Sequence, residues 1–309
     1  MRKIKKLKTI TAFHQTRSLT PPEHPLISIV DYADIHLLPE YFEYKWTFDF
    51  YLISLKKNIG GKVMYGQQSY DFDEGVLFFI APGQVFGIEQ ITGTPANKSG
   101  WMLLIHPDFI WSTSLAKGIK KYEYFSYAIH EALFVSKKEE NILMGIIGNI
   151  EREYQANIDK FSQGIIISQL ETLLNYAERF YNRQFITRKR AGHQMLDQLE
   201  LLFADYFGED IASTTGLPTV QYFAERLHLS PKYLSTMLKT LTGQTAQQFI
   251  HEKLMELAKQ KLSVTSLSVS EIAYMLGIEH SQSFNKLFKS KTSLTPLEFR
   301  KSFDPLNPI

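Results

Sequence analysis

Two stretches near the C-terminal end, Thr219–Ile250 and Ser268–Phe303, read as the same structural unit, and this duplication restricts the fold more than any other feature. In the second stretch Ser268 and Glu271 have capping-box spacing, after which Ile272, Ala273 and Leu276 fall on one helical stripe. Gly277 suits the left-handed conformation that ends a helix. A second stripe follows in Phe284, Leu287 and Phe288, with Ser281, Gln282, Asn285 and Lys286 on the opposite face. Thr295, Pro296 and Glu298 open a third helix, on which Phe299 braces the pair. The first stretch repeats the pattern fifty residues earlier, with Lys239 for Lys289, Thr245 for Thr295 and Phe249 for Phe299. Ala224 and Ala273 are forty-nine apart, so the second copy carries one extra residue in its turn. His228 stands where the second copy has Gly277, and His tolerates the left-handed region better than most side chains. In the first copy Ser230 is the expected cap and Pro231 the first residue of the second helix.

A small inward Ala, a turn and an outward face of amides, hydroxyls and a lysine are the parts of a helix-turn-helix that reads base edges in a major groove. From Arg226 to Phe303 there are eleven Lys or Arg against five Asp or Glu, although the whole chain has a formal net charge of only +2. Localised basicity of this kind is the footprint of a nucleic-acid binder. On the residues Ile272 and Ala273, Gly277, Phe284, Phe288 and Lys289, Thr295 and Pro296, and Phe299 and Arg300, the region from Met195 to Phe303 resembles the DNA-binding region of the AraC/XylS family of bacterial transcription regulators. Ser293 replaces the Gly of that pattern. The resemblance implies that Lys232, Ser235, Thr236, Ser281, Gln282, Asn285 and Lys286 approach bases, and that Lys239 and Lys289 hold phosphates. A helix over Ala246–Leu262 is the expected spacer between the two units. Lys291 is a further cation on the phosphate side.

A chain of 309 residues is long enough for two cores. With 44% hydrophobic and 21% charged residues it has the composition of a globular protein rather than a disordered one. The absence of cysteine excludes disulfides, thiolate metal sites and a cysteine nucleophile. The basic start, MRKIKKLKTITAF, lacks the apolar run of a signal peptide, and no stretch has the length to span a bilayer. Cytoplasmic residence is the resulting expectation.

The expected organisation is a flexible basic lead over residues 1–24, a sensor or dimerisation domain over 25–185, a polar linker over 186–194 and the DNA-binding domain over 195–303. Residues 25–105 are rich in aromatic and β-branched side chains interrupted by glycines, which predicts short antiparallel strands forming a barrel or sandwich. This part resembles the cupin-like sensor domain common in AraC-family regulators, most clearly from Gly75 to Gln84. The fold class is therefore α+β: a cupin-like antiparallel β-barrel with a helical extension, then an all-α tandem helix-turn-helix domain. From Ser136 the period becomes helical, with stripes at Ile142, Leu143, Ile146, Ile147 and Ile150 and at Ile166, Leu170, Leu173, Leu174 and Ala177. These stripes pack on the barrel or pair with a second subunit. A stripe through Leu199, Phe203 and Tyr206 backs the first helix-turn-helix, and Gly208–Pro218 reads as a loop.

No His-x-His pair occurs, so the metal set of an enzymatic cupin is missing, and neither a metal nor another cofactor is expected. His106 and His130 are isolated, and Trp46, Phe48, Phe50, Tyr65 and Tyr70 are read as core. The sequence thus points to a non-enzymatic regulator whose partner is double-stranded DNA. A small-molecule effector and a second copy of the chain are candidate partners, as is RNA polymerase if the protein activates; a membrane is not. Two alternatives stand beside this reading: a constitutive DNA binder whose barrel only oligomerises, and a cupin-type enzyme with an accessory DNA-binding region.

Overall fold

The structure, a computed structural model, describes residues 3–36, 38–57, 63–65, 68–70, 75–87, 98–128, 131–156, 161–187, 189–208 and 211–302. The chain divides into two compact units, Met1–Thr187 and Arg188–Ile309.

The first unit begins with a strand, β1 (Lys3–Leu7), and a helix, α1 (Ile10–Thr16). This corrects the expectation of a flexible basic lead. Thr9 caps α1 by accepting the Ala12 N–H at 3.1 Å, and Ile10 and Phe13 are buried. Apolar residues spaced for one helical face outweigh the surrounding lysines, because the face has a core to enter. The strands that follow are β2 (Ile27–Asp31), β3 (Tyr44–Phe48), β4 (Tyr51–Lys57), β5 (Val63–Tyr65), β6 (Gln68–Tyr70), β7 (Gly75–Ile80), β8 (Phe86–Gly87) and β9 (Ser99–Ile105). After the short helices α2 (Pro107–Ile110) and α3 (Ser114–Gly118) comes β10 (Leu133–Val135). His106, read as isolated, accepts the Asp108 N–H at the start of α2, while His130 lies outside the described residues.

Five strands form an antiparallel sheet in the order β10-β7-β4-β9-β2, and β1-β3-β8 form a second sheet in which β1 runs parallel to β3. Strands β5 and β6 pair as a hairpin. The unit is mixed helix and sheet; no closed sheet occurs among the described residues, and the two larger sheets share one core. Leu7, Trp46 and Phe48 from one sheet meet Val30, Leu52, Ile80, Met102 and Leu104 from the other. Trp46, Phe48 and Phe50 are core as expected; the side chains of Tyr65 and Tyr70 lie outside the described set.

Helices α4 (Lys137–Gln155) and α5 (Ser162–Thr187) follow. Ser136 and Glu139 cap α4 reciprocally. Most of both stripes is buried within the one chain, Leu143, Ile146, Ile147 and Ile150 on α4 and Ile166, Leu170, Leu173, Leu174 and Ala177 on α5, whereas Ile142 is exposed. The linker expected over residues 186–194 begins inside α5, which runs on to Thr187. Gln184 is fully buried, accepting the Phe134 N–H at 2.8 Å and donating to the Ala132 carbonyl at 3.3 Å. Arg183 pairs with Glu139 at 2.6 Å. Polar side chains here satisfy the open edge of β10, a need that hydropathy does not register. No helix among the described residues is long and apolar enough to cross a membrane.

The second unit is all helical: α6 (Lys189–Gly208), α7 (Ile211–Thr215), α8 (Val220–Arg226), α9 (Pro231–Thr242), α10 (Ala246–Val264), α11 (Val269–Met275), α12 (Ser281–Thr292) and α13 (Pro296–Lys301). The rest of the expected linker is thus helical from Lys189 onward. The expected loop Gly208–Pro218 contains α7, whose Ala212 is buried and whose Thr214 and Thr215 hydroxyls donate to the Ile211 carbonyl. Phe203 on α6 stacks on Phe223 of α8 at 4.3 Å, so α6 backs the first helical pair. A second core gathers Leu254, Met255, Ala258 and Leu262 of α10 with Ile272, Ala273 and Leu276 of α11 and Phe284 and Phe288 of α12.

Four left-handed residues end the helices of the two repeats: His228 (φ +56°), Gly243 (φ +77°), Gly277 (φ +77°) and Ser293 (φ +65°). At Gly277 a Cβ would lie 2.5 Å from backbone atoms of Gly216, so this turn needs glycine both for its conformation and for the approach of the α7–α8 connection. Ser293 carries the strain of an L-residue in this region. Gly277→Ala is expected to destabilise the helical unit by about 2 kcal/mol or more, and Ser293→Gly to stabilise it by about 1 kcal/mol. Thermal unfolding of the full chain followed by the helical circular-dichroism signal checks both. Opposite signs for the two are required.

Candidate nucleic-acid interface

Each repeat presents one helix whose sequence separates sharply into two faces. In α9 Tyr233, Leu234, Met237 and Leu238 are buried, while Lys232 and Lys239 are exposed and Ser235 and Thr236 half-buried. In α12 Phe284 and Phe288 are buried, Gln282, Lys286 and Lys289 are exposed, and Ser281 and Asn285 are half-buried. All nine residues singled out in the sequence therefore lie on the unburied faces of these two helices. Neither helix contains an acidic residue, so nothing on these faces repels a polyanion.

The helices are held by the turns before them. In the first repeat the Leu229 N–H donates to the Ala224 carbonyl at 2.8 Å around His228, and in the second the Ile278 N–H donates to Ala273 at 2.9 Å around Gly277. Both are the six-residue closure expected of a helix ended by a left-handed residue. The extra residue of the second copy is Glu279, because the caps that follow, Ser230 and His280, are fifty apart. Ser230 accepts the Tyr233 N–H at 3.2 Å. The His280 side chain accepts no capping bond and is exposed at the start of α12. It is an addition to the sequence-derived set, as is exposed Ser283. The inserted Glu279 hid the equivalence of His280 with Ser230.

Hydroxyl chemistry limits what α9 can offer a partner. Ser235 donates to the Pro231 carbonyl at 2.8 Å and Thr236 to the Lys232 carbonyl at 3.0 Å. With their protons engaged along the helix, the two oxygens are left as acceptors. Amide and ammonium groups on α12, by contrast, include donors. Among the described residues Lys239 and Lys286 enter no ion pair. Lys253 of α10 is different: it is paired with Glu200 at 3.1 Å and Glu256 at 3.2 Å. Burial lowers its pKa, but the two carboxylates outweigh burial and raise it overall. Burial, and then the charge of Lys291, hold the His251 imidazole below its usual range.

The third helix of the second repeat locks the assembly. Thr295 and Glu298 form a reciprocal capping box, and the Thr295 N–H, then its hydroxyl, keep the Glu298 carboxyl below its usual range, with smaller help from Lys289 and Lys301. Arg300 donates to the Leu262 carbonyl at 3.3 Å and the Leu267 carbonyl at 2.5 Å, closing the end of α10 and the connection to α11. Its place in the sequence pattern is therefore structural. Helix α10 itself is 19 residues long, about 28 Å at ~1.5 Å per residue, two residues longer than expected.

Comparison with known proteins agrees with this geometry. A family profile described as a helix-turn-helix domain matches residues 223–302. The raffinose operon transcriptional regulatory protein RafR of Pediococcus pentosaceus is 37% identical over 84 residues, 27% of this chain and 30% of that protein. The HTH-type transcriptional activator RhaS of Enterobacter sp. (strain 638) is 32% identical over 109 residues, 35% of this chain and 37% of that protein. The chain thus covers less than half the length of either relative. Among solved structures, the C-terminal domain of the two-component response regulator yesN from Fusobacterium nucleatum is 33% identical, with 33% of this chain and 96% of that chain covered and a TM-score of 0.29. Over this C-terminal stretch the chain therefore carries a helix-turn-helix domain similar to those of transcriptional regulators such as RafR and RhaS.

Proposed function

We propose that the protein is a sequence-specific transcription regulator that binds double-stranded DNA through α9 and α12. The observation that carries this reading is the pairing of two acid-free helices, each with its lysines and hydrogen-bonding side chains unburied, on either side of one continuous helix. A spacer of about 28 Å suits recognition helices entering successive major-groove segments, which recur every ~34 Å. Lys232, Ser235 and Thr236 approach bases from the first unit, and Ser281, Gln282, Asn285 and Lys286 from the second. Lys239 and Lys289 hold phosphates. Because the outward residues differ between the copies, the two half-sites differ in sequence. Gln282 suits adenine and Lys286 guanine, while the acceptor oxygens of Ser235 and Thr236 suit the amino groups of adenine or cytosine.

The N-terminal unit, with its shared core between two sheets, acts in this reading as the cupin-like sensor, and α4 and α5 as the support on which a second copy docks. Where the protein activates, RNA polymerase is a further partner. The protein acts by binding rather than by catalysis.

Genome-wide footprinting with purified protein tests the reading directly: discrete protected sites spanning about two helical turns are expected, and uniform, sequence-independent protection would refute it. Lys286→Ala is expected to cost about 1–3 kcal/mol at a footprinted site while leaving non-specific binding nearly unchanged. Equal losses would reassign Lys286 to the phosphate set. Lys289→Ala is expected to weaken binding to all sequences alike and to reduce the slope of log K against log salt by about 1. Titrations at several salt concentrations measure it.

A further inference from the structure

Five helices of the second unit, α8, α9, α10, α11 and α13, begin on a Ser or Thr whose hydroxyl accepts an N–H of the first turn: Thr219, Ser230, Thr245, Ser268 and Thr295. Helix α12 begins on His280 instead, and the imidazole accepts no N–H of the helix. The backbone of His280 still has the extended conformation of a cap, with φ −113° and ψ +117°. The N–H that a capping hydroxyl would take, that of Ser283, turns back to the His280 carbonyl at 2.9 Å. In the first repeat the matching N–H, that of Tyr233, reaches the Ser230 hydroxyl at 3.2 Å. A serine at position 280 would therefore serve the fold better than the histidine does.

The side chain that gives up the capping role is exposed, one residue ahead of Ser281 and two ahead of Gln282. In a recognition helix the first residues are the ones that meet base edges. A neutral imidazole brings one N–H donor and one acceptor to such an edge. Glu279, exposed immediately before it, sets a negative charge at this end of α12 and disfavours a phosphate there. A base is the partner left, and guanine, with acceptors at both N7 and O6 in the major groove, is the base best suited to an N–H donor.

We propose that His280 is a specificity-determining residue of the second half-site, its imidazole N–H donating to a guanine in the major groove. The inference rests on the DNA-binding reading given above and adds a base contact to it. It accounts for the one helix of these six that lacks a hydroxyl cap being a helix that reads DNA: recognition takes the position that capping would otherwise fill.

The test compares the full chain with His280→Ser and His280→Ala, by thermal unfolding and by titration with three DNAs: a footprinted site, the same site altered one base pair at a time, and random sequence. His280→Ser is expected to raise the melting temperature of the helical unit by about 2–5 °C, because the hydroxyl restores the cap. The same variant is expected to bind the footprinted site about five-fold or more weakly, with binding to random sequence nearly unchanged. His280→Ala is expected to lose the site equally without the gain in stability, which separates the lost contact from the altered helix start. Replacement of one particular G·C pair is expected to weaken the parent by the same factor and to weaken His280→Ser no further. A lower melting temperature for His280→Ser would make the histidine structural and overturn the proposal. Parental affinity in either variant, equal losses on specific and random DNA, or no base pair whose replacement reproduces the loss would overturn it as well. The reading beneath it fails differently: a parent that protects no discrete site removes sequence-specific binding itself, whereas discrete sites bound equally by His280→Ser remove only the role of His280.

Discussion

The helical unit depends on α10 being buried along both halves of its length. Its first turns send Phe249 and Ile250 into the core around Phe203 and Phe223, and its later turns send Leu254, Met255, Ala258 and Leu262 into the core around Ile272, Phe284 and Phe288. A large apolar side chain buried in this way contributes about 1.5–3 kcal/mol, and α10 contributes to both cores. Each helix-turn-helix is too short to enclose a core alone, so sharing one helix supplies what both lack. A rigid link between the two recognition helices is the mechanical consequence. The ends of that link are fixed as well, by the capping box at Thr245 and Gln248 and by Arg300 at the other end.

The two repeats keep their shape by different local means. In the first, a histidine is left-handed at the turn and a glycine at the end of the second helix; in the second, glycine takes the turn and a serine the helix end. Only the second turn lies against the backbone of Gly216, which explains why glycine is needed there, whereas the other positions tolerate a modest strain. The recognition helices begin differently too, one capped by Ser230 and one entered through His280 after the extra Glu279. Turns and caps thus diverge between the copies while the inward apolar stripe is kept in both.

In the N-terminal unit several polar side chains are enclosed within the apolar core. Gln184 finishes the edge of β10, and His14 meets Ser28 at 2.9 Å and the Thr20 carbonyl at 2.5 Å. These are compensated. Arg17 is enclosed as well, and its Nη1 has no hydrogen-bond partner among the described residues. Arg17 comes from the end of a helix that follows a run of lysines, in a segment whose composition alone reads as a solvated tail.

The sequence by itself determined the helix-turn-helix repeats, because capping pairs, left-handed positions and inward stripes are local patterns with fixed spacing: Ser268 with Glu271, Gly277, and Phe284 with Phe288 all occupy the roles their spacing predicts. The unburied faces of α9 and α12 were legible for the same reason. Only the tertiary structure decided the rest. Ordering of β1 and α1 depends on pairing with β3 far along the chain, the open sheets on which strands find one another, and α7 on the bonds between Tyr206 and the Thr215–Gly216 segment. Helical continuation through Arg183 and Gln184 depends on a strand edge fifty residues earlier. Such elements are stabilised by contacts between residues distant in sequence, and periodicity within a short window carries no record of a partner that lies outside it.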